Sequence, residues 1–351
     1  MHVGIVGCGV IGAVHHEVLR ESSEVLEVVL CDLDLRKARQ LDPNATVHDN
    51  LDDLLRDIRL DLVCLCTPHP SHPALIQICL EHQVPVLCEK PLCTTLEDLK
   101  RLKSLARTSA NRQVTGIFQH RYAPSAQLLK ELLGQDVFGS VRSTRARFQC
   151  DRGPSYYASA PWRGTTSGEG GGVVLNQGIH TLDLWQWLLG GVVAVSGRAL
   201  NLEHQDCIEV EDTLTGWDSE WAWVRFSSGV EGQLQMLNRS GASWNPQIEV
   251  QAERGSFCYT TNDNGRFLKL DHEDPEVLLQ LQSARLPEQL TRSKPEYSIL
   301  HEVQIRDTLR RIQAGEPPGV SLGDALQANE LVLAFYESSR RETPVSLPLC
   351  I

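Results

Sequence analysis

Three glycines near the amino terminus constrain this chain more than any other feature. Gly7, Gly9 and Gly12 follow the apolar run 2–6 and lead into the amphipathic stretch 12–21. In a strand–turn–helix of the form G-x-G-x-x-G each glycine has a physical use. The first permits the tight turn, the second lets the backbone approach a pyrophosphate, and the third allows helix to pack closely on strand. The anion would rest on the helix N-terminus, where free N–H groups and the dipole favour negative charge. Gly7, Gly9, Val10, Ile11 and Gly12 are therefore the expected dinucleotide contacts in this turn. Asp32 lies twenty residues beyond Gly12, just after the strand-like run 27–31. A carboxylate there accepts hydrogen bonds from an adenosine ribose and repels a 2′-phosphate, so NAD is favoured over NADP. Arg36 and Lys37 are the residues that would serve NADP.

Strand-like runs at 2–6, 27–31, 62–66, 84–88 and 113–118 alternate with helical patterns at 12–21, 53–58, 73–82 and 96–109. That alternation implies βαβ units and a doubly wound parallel sheet. The pattern changes after about residue 124. Helices are expected at 125–133 and 176–189, followed by hairpin signals around Ser227-Ser228-Gly229 and Asn262-Asp263-Asn264-Gly265. Such turns between alternating segments indicate an antiparallel sheet. Residues 271–297 are polar and read as a surface excursion, and helices at 297–314 and 322–340 close the chain.

A length of 351 residues predicts roughly two domains. The formal net charge of -12 argues against a nucleic-acid partner, which needs a dense Lys/Arg face. No apolar run approaches the roughly 18–20 residues that span a bilayer, and the start MHVGIVGCG lacks the basic region of a signal peptide. The chain reads as cytoplasmic, with no membrane partner. Its eleven cysteines include no C-x-x-C pair. Cys64, Cys66 and Cys88 sit in apolar runs, where a thiol behaves as a small hydrophobe, so neither a metal site nor a disulfide framework is expected.

A second cluster lies where two predicted strands end. The run 62–66 leads into Thr67-Pro68-His69-Pro70-Ser71-His72, and 84–88 into Glu89-Lys90-Pro91. A lysine closing an apolar strand is costly unless paired or functional. Farther on stand Gly170-Gly171-Gly172 and Gly178-x-His180-x-x-Asp183. With these motifs the sequence resembles the Gfo/Idh/MocA oxidoreductases, and the likeness extends to 334–338 and 344–348, hence over nearly the whole chain. The resemblance implies an α/β protein: an NAD-binding Rossmann domain, 1–122, and a substrate-binding and oligomerisation domain, 123–351, built on a large, mostly antiparallel sheet. It also implies a homodimer or homotetramer.

Carried over by motif, Lys90 resembles the lysine that touches both substrate and nicotinamide ribose. Thr67, Pro68, His72 and Glu89 resemble positions that line the dinucleotide, and Gln119 one near its carboxamide. Trp162 and Arg163 resemble a pair at the cofactor–substrate junction, and His180 the active-site histidine. One departure concerns Asn176, where the family commonly has Asp. An amide is no base at neutral pH but can orient a hydroxyl. The acid/base role therefore falls on His180, assisted by Lys90. Asn-Gln-Gly-x-His resembles branches acting at C3 of nucleotide sugars or glycosides.

Oxidising a secondary alcohol needs a hydride acceptor and a base. An imidazole, ordinarily near pKa ~6.5, suits the proton, and the Lys90 ammonium suits the developing alkoxide. Asn176 and His180 are one helical turn apart and would face one pocket. Arg121, Tyr157, Trp162 and Arg163 are further expected substrate contacts, and Asp183 is expected to be structural. On sequence alone Asn176→Asp would preserve substantial activity, since it restores the commoner residue. Three readings stay open: a sugar dehydrogenase, an enzyme with held NAD that cleaves a glycosidic bond through transient C3 oxidation, and a non-catalytic NAD-binding regulator.

Overall fold

The computed structural model describes residues 1–165, 168–200, 219–238, 240–241, 244–286 and 296–350. The chain divides into two units. One is Met1–Cys93 with Glu97–Gln119 and Tyr297–Leu326; the other is Thr94–Leu96 with His120–Glu296 and Gln327–Ile351.

In the first unit the apolar runs become six parallel strands: β1 (His2–Val6), β2 (Glu27–Cys31), β3 (Val47–His48), β4 (Leu62–Leu65), β5 (Val86–Cys88) and β6 (Val114–Gly116). Their order is β3-β2-β1-β4-β5-β6. The chain works outward from β1 and then returns to its other side with β4. That reversal creates the switch point at whose carboxyl edge doubly wound sheets bind ligands. Register brings Cys31, Val6, Leu65, Cys88 and Gly116 into one row. The residues that follow, where the glycine turn, Asp32, Thr67 and Lys90 lie, therefore emerge along one edge.

Connecting helices are α1 (Val10–Arg20), α2 (Leu35–Leu41), α3 (Leu51–Asp57), α4 (His72–Glu81) and α5 (Leu96–Leu105). Asp34 and Asn50 start α2 and α3 by accepting N–H groups of Arg36 and Asp53. The C-terminal helix Glu296–Ala314, expected with the second domain, belongs to this unit instead. The reason is packing. Ile305 and Leu309 join the core around Val3, Ile5, Leu30 and Leu62, while the Gln304 amide bonds the Phe118 N–H and the Gly116 carbonyl.

The second unit carries eight strands: β7 (Val141–Cys150), β8 (Val192–Leu200), β9 (Ser219–Phe226), β10 (Glu231–Leu237), β11 (Trp244–Ala252), β12 (Gly255–Thr260), β13 (Arg266–His272) and β14 (Val345–Ser346). Their order is β13-β12-β11-β7-β10-β9-β8-β14, antiparallel throughout except β7 against β10. Helices α6 (Pro124–Gly134), α7 (Pro154–Tyr157), α8 (Ile179–Leu189), α9 (Pro275–Ser283), α10 (the helix Glu296–Ala314) and α11 (Leu322–Arg341) complete the element list among the described residues. Alternation buries Ala222, Val224 and Phe226 on one face of β9. Trp185 of α8 packs edge-on to Phe226 at 5.0 Å and donates its N–H to Thr144 at 2.8 Å.

Two expectations change here. The helix expected from 176 begins as α-helix only at Ile179, preceded by a wider π turn over Val174–Gly178. Gly178 allows that turn to rest on β10, since a Cβ there would come within 2.9 Å of the Met236 sulfur. The excursion expected at 271–297 contains α9, started by Asp274 and burying Val277 and Leu281; residues 287–295 lie outside the described residues.

Candidate active site

The glycine turn fits a dinucleotide. Gly7 holds φ at +96°, and a side chain there would strike the Cys66 carbonyl carbon at 2.7 Å. A Cβ on Gly12 would fall 2.1 Å from the Gly7 oxygen. At Gly9, by contrast, a Cβ would meet nothing within 4 Å, so the turn is tight where it must pack and open where a phosphate would approach. Helix α1 has no side-chain cap, which leaves its first N–H groups to an anion. Asp32 is held by the N–H groups of Cys8 at 2.8 Å and Asp34 at 2.9 Å. Its oxygens retain lone pairs for ribose hydroxyls. Arg36 pairs with Asp34 through two bonds of 2.9 Å, so the residue that would serve NADP already faces a carboxylate.

Along the same edge, Thr67 shares a 2.7 Å hydrogen bond with Ser71, and Pro68 is exposed. Lys90 is half-buried just beyond β5. Gln119 is buried, and its side-chain oxygen accepts no hydrogen bond among the described residues. An orphaned amide oxygen is what a carboxamide donor would satisfy. These residues fit NAD.

His72 and Glu89 depart from the expectation that they line the cofactor. His72 is fully buried, its ring nitrogens 2.8 Å from the Pro91 carbonyl and 2.9 Å from that of Thr67. It ties together the loops after β4 and β5. Glu89 is buried against His15 at 2.9 Å and His301 at 3.7 Å. Burial alone would raise its carboxyl, but the His15 hydrogen bond and the neighbouring His301 and Lys90 hold it down at about 2. Both residues shape the edge from behind.

The second unit gathers most of the expected substrate residues. His180, half-buried in the first turn of α8, packs edge-to-face with His120 at 5.4 Å. Asn176 and Gln177, in the π turn, both donate toward the Tyr156 hydroxyl, at 3.2 and 3.0 Å. Arg163 donates to the same oxygen and stacks over the Tyr156 and Trp162 rings at 4.3 and 4.5 Å. Tyr157 accepts from Asn238 at 2.9 Å. Burial, and after it the charge of Glu169, pushes the Tyr156 phenol up, so it keeps its proton at neutral pH. Arg121 instead forms a buried two-point pair with Asp183 at 2.8 and 2.6 Å. Asp183 thus has the structural place expected of it.

Three residues escaped sequence reasoning. Glu169 is buried and bonds Asn176; its only signal was a lone acid among glycines. Arg152 stacks over Tyr156 at 4.7 Å and Trp244 at 5.4 Å. Leu33 is 95 % exposed beside Asp32, an apolar surface suited to a base. Among the described residues, no group of three or more His, Cys, Asp or Glu is placed to hold a metal, and no helix is long and apolar enough to cross a membrane.

Comparison with known proteins agrees with this geometry. Residues 1–117 match the GFO/IDH/MocA oxidoreductase family, NAD-binding Rossmann fold, and residues 126–258 its C-terminal domain. The myo-inositol 2-dehydrogenase of Thermotoga maritima is 25 % identical over 351 residues, 99 % of this chain and 98 % of its own. The trans-1,2-dihydrobenzene-1,2-diol dehydrogenase of Homo sapiens is 26 % identical over 278 residues, 72 % of this chain and 79 % of its own. The WlbA dehydrogenase from Chromobacterium violaceum, solved with NADH and UDP-GlcNAcA, has a TM-score of 0.83 at 25 % identity, over 100 % of this chain and 97 % of its own. A levoglucosan dehydrogenase solved with NADH shares the fold, with a TM-score of 0.80 at 19 % identity over 99 % of both chains. Both family domains, in order, on a glycine turn already shaped for a dinucleotide make this chain a member of the GFO/IDH/MocA family of NAD-dependent oxidoreductases.

Proposed function

We propose that the chain oxidises a secondary hydroxyl, at C3, of a sugar or sugar derivative. The observation that carries this reading is the polar and aromatic cluster of Tyr156, Arg163, Asn176 and His180 in the second unit. Amide, phenol and guanidinium groups recognise hydroxyls, and aromatic faces suit a sugar ring. The relatives named for inositol and for a dihydrodiol support a ring with adjacent hydroxyls as substrate. Bound NAD supplies the hydride acceptor. His180 takes the hydroxyl proton, and Lys90 stabilises the alkoxide charge as it develops. The paired fork of Arg121 holds the helix that carries Asp183 and His180.

A panel of cyclic polyols, nucleotide sugars and glycosides, scored both for NADH release and for glycoside cleavage, tests the reading. NADH formed in step with a ketone product supports it. Cleavage without net NADH would replace it with the glycoside-cleaving reading, and NAD binding with no turnover on any member with the regulator.

We further propose that the chain works as a homo-oligomer through the outward face of the eight-stranded sheet. Trp221 and Trp223 stand exposed there, flanked by Arg198 and Ser196 on β8 and by Gln235 and Gln233 on β10. Tryptophan within polar surroundings is typical of interface cores. Free thiols among the described residues, most of them buried, support a cytoplasmic location.

A further inference from the structure

The geometry points to Glu169 as a positioning residue: it holds the Asn176 amide by its nitrogen, so that the amide oxygen is the atom offered to a substrate hydroxyl. This rests on the function proposed above and goes further, because it assigns the direction of a substrate hydrogen bond to a residue outside every motif.

Glu169 is buried, 3 % exposed, in the turn between Trp162 and the π turn. One carboxylate oxygen accepts the Gly164 N–H at 2.6 Å, and the other accepts from Asn176 Nδ2. An ionised carboxylate only accepts, so it can face nothing but the nitrogen of the amide. The second hydrogen of that nitrogen lies toward the Tyr156 hydroxyl at 3.2 Å. Both amide donors are thereby committed within the second unit. Turning the amide over would set its oxygen against the carboxylate, lone pair against lone pair, in a buried place where such groups must be paired. Any further partner of Asn176 is met through its oxygen, and that partner is a donor. The site thus keeps a full negative charge behind a neutral acceptor and selects a substrate with a hydroxyl proton to donate there.

Glu169 also changes what Asn176→Asp should do. A carboxylate at 176 would touch a buried carboxylate, and the two would have to share a proton. Four proteins make the test: the wild type, E169Q, N176D and the double variant E169Q/N176D. Each is measured by steady-state kinetics on the substrate the panel identifies, by NAD titration, and by thermal unfolding from pH 5 to pH 8. With E169Q, Asn176 can turn either way. The KM should rise about tenfold to hundredfold, the range of one charge-assisted hydrogen bond, with kcat and NAD affinity nearly unchanged. In N176D one carboxyl of the pair has a raised folded pKa. Its stability relative to wild type is therefore best at low pH and falls as pH rises. In the double variant the amide introduced at position 169 donates to the carboxylate introduced at position 176. The pH dependence of Tm should vanish, and KM should recover relative to either single change.

Unchanged KM in E169Q, or single effects that simply add in the double variant, would overturn the assignment; so would an N176D protein whose Tm follows wild type across the pH range. A merely structural Glu169 would lower Tm without separating KM from kcat. Should the panel yield no substrate, the proposed function fails, while the Tm profiles still decide whether Glu169 and residue 176 are coupled as described.

Discussion

Asp32 is oriented before any cofactor arrives, because the Cys8 and Asp34 N–H groups hold one oxygen each. Asp32→Ala deletes the ribose acceptor and the repulsion of a 2′-phosphate together. NAD affinity should fall by about tenfold to hundredfold, the worth of a hydrogen bond to a charged group, and the preference over NADP should shrink. Fluorescence titration with both cofactors measures this; unchanged affinities for both would sink the assignment. His180→Ala should bind NAD normally, since the cofactor residues lie on the first unit. Turnover should drop by about 10²–10⁴-fold, the usual cost of losing a general base, and the acid limb of the rate profile should flatten. Lys90→Ala should weaken NAD as well as turnover. If His180→Ala keeps near-normal kcat, the proton goes elsewhere, and the Tyr156 hydroxyl becomes the next group to test. The residues legible in the sequence were those whose type and spacing carry a mechanism: the glycines, Asp32, Lys90 and His180. Glu169 was illegible because its partner stands seven positions away across a glycine run, and only the folded chain shows the contact. His72 and Glu89 were found by motif, but their burial was not.

Between elements, Glu89 does most of the joining in the first unit. It follows β5 and meets His15 of α1 and His301 of α10. A carboxyl lowered from 4.5 to about 2 favours the folded state above its unfolded pKa and loses that contribution as pH falls toward 2. The shift corresponds to on the order of 3 kcal/mol. Glu89→Gln should therefore lower stability at neutral pH and flatten the dependence of unfolding free energy on pH between about 4.5 and 2. Urea titrations across that window check the slope, and an unaltered slope would remove Glu89 from the acid response. Element prediction succeeded where periodicity was strong, as at His2–Val6 and Glu27–Cys31. It missed β7 because the inward residues Thr144, Ala146 and Cys150 are small and arginines alternate with them, so a central strand resembles a polar stretch. It missed α2 because seven residues bury only Ala38, although Asp34 marked the start.

On the scale of the whole molecule, the outward face of the second sheet is the surface that bears on assembly. In β9 the alternation that buries Ala222, Val224 and Phe226 leaves Trp221 47 % and Trp223 53 % exposed. Register then builds two rows across the sheet, Ser196–Trp223–Gln233–Arg145 and Arg198–Trp221–Gln235–Arg147. Each row combines one large aromatic with amides and guanidinium groups, a surface able to meet its own copy about a twofold axis. Neither tryptophan belongs to the cofactor or substrate residues. Replacing both with glutamate should therefore separate assembly from chemistry. Interface tryptophans commonly carry about 2 kcal/mol or more each, so W221E/W223E should weaken self-association at least about a thousandfold if both lie at the centre of the contact. Sedimentation velocity over a range of protein concentrations reads this directly, with NAD titration as the control for folding of the first unit. The expected outcome is an oligomeric wild type and a monomeric variant with the same NAD affinity. A wild type that is monomeric at every concentration, or a variant that assembles as wild type does, would show that the exposed tryptophans are not what joins the copies.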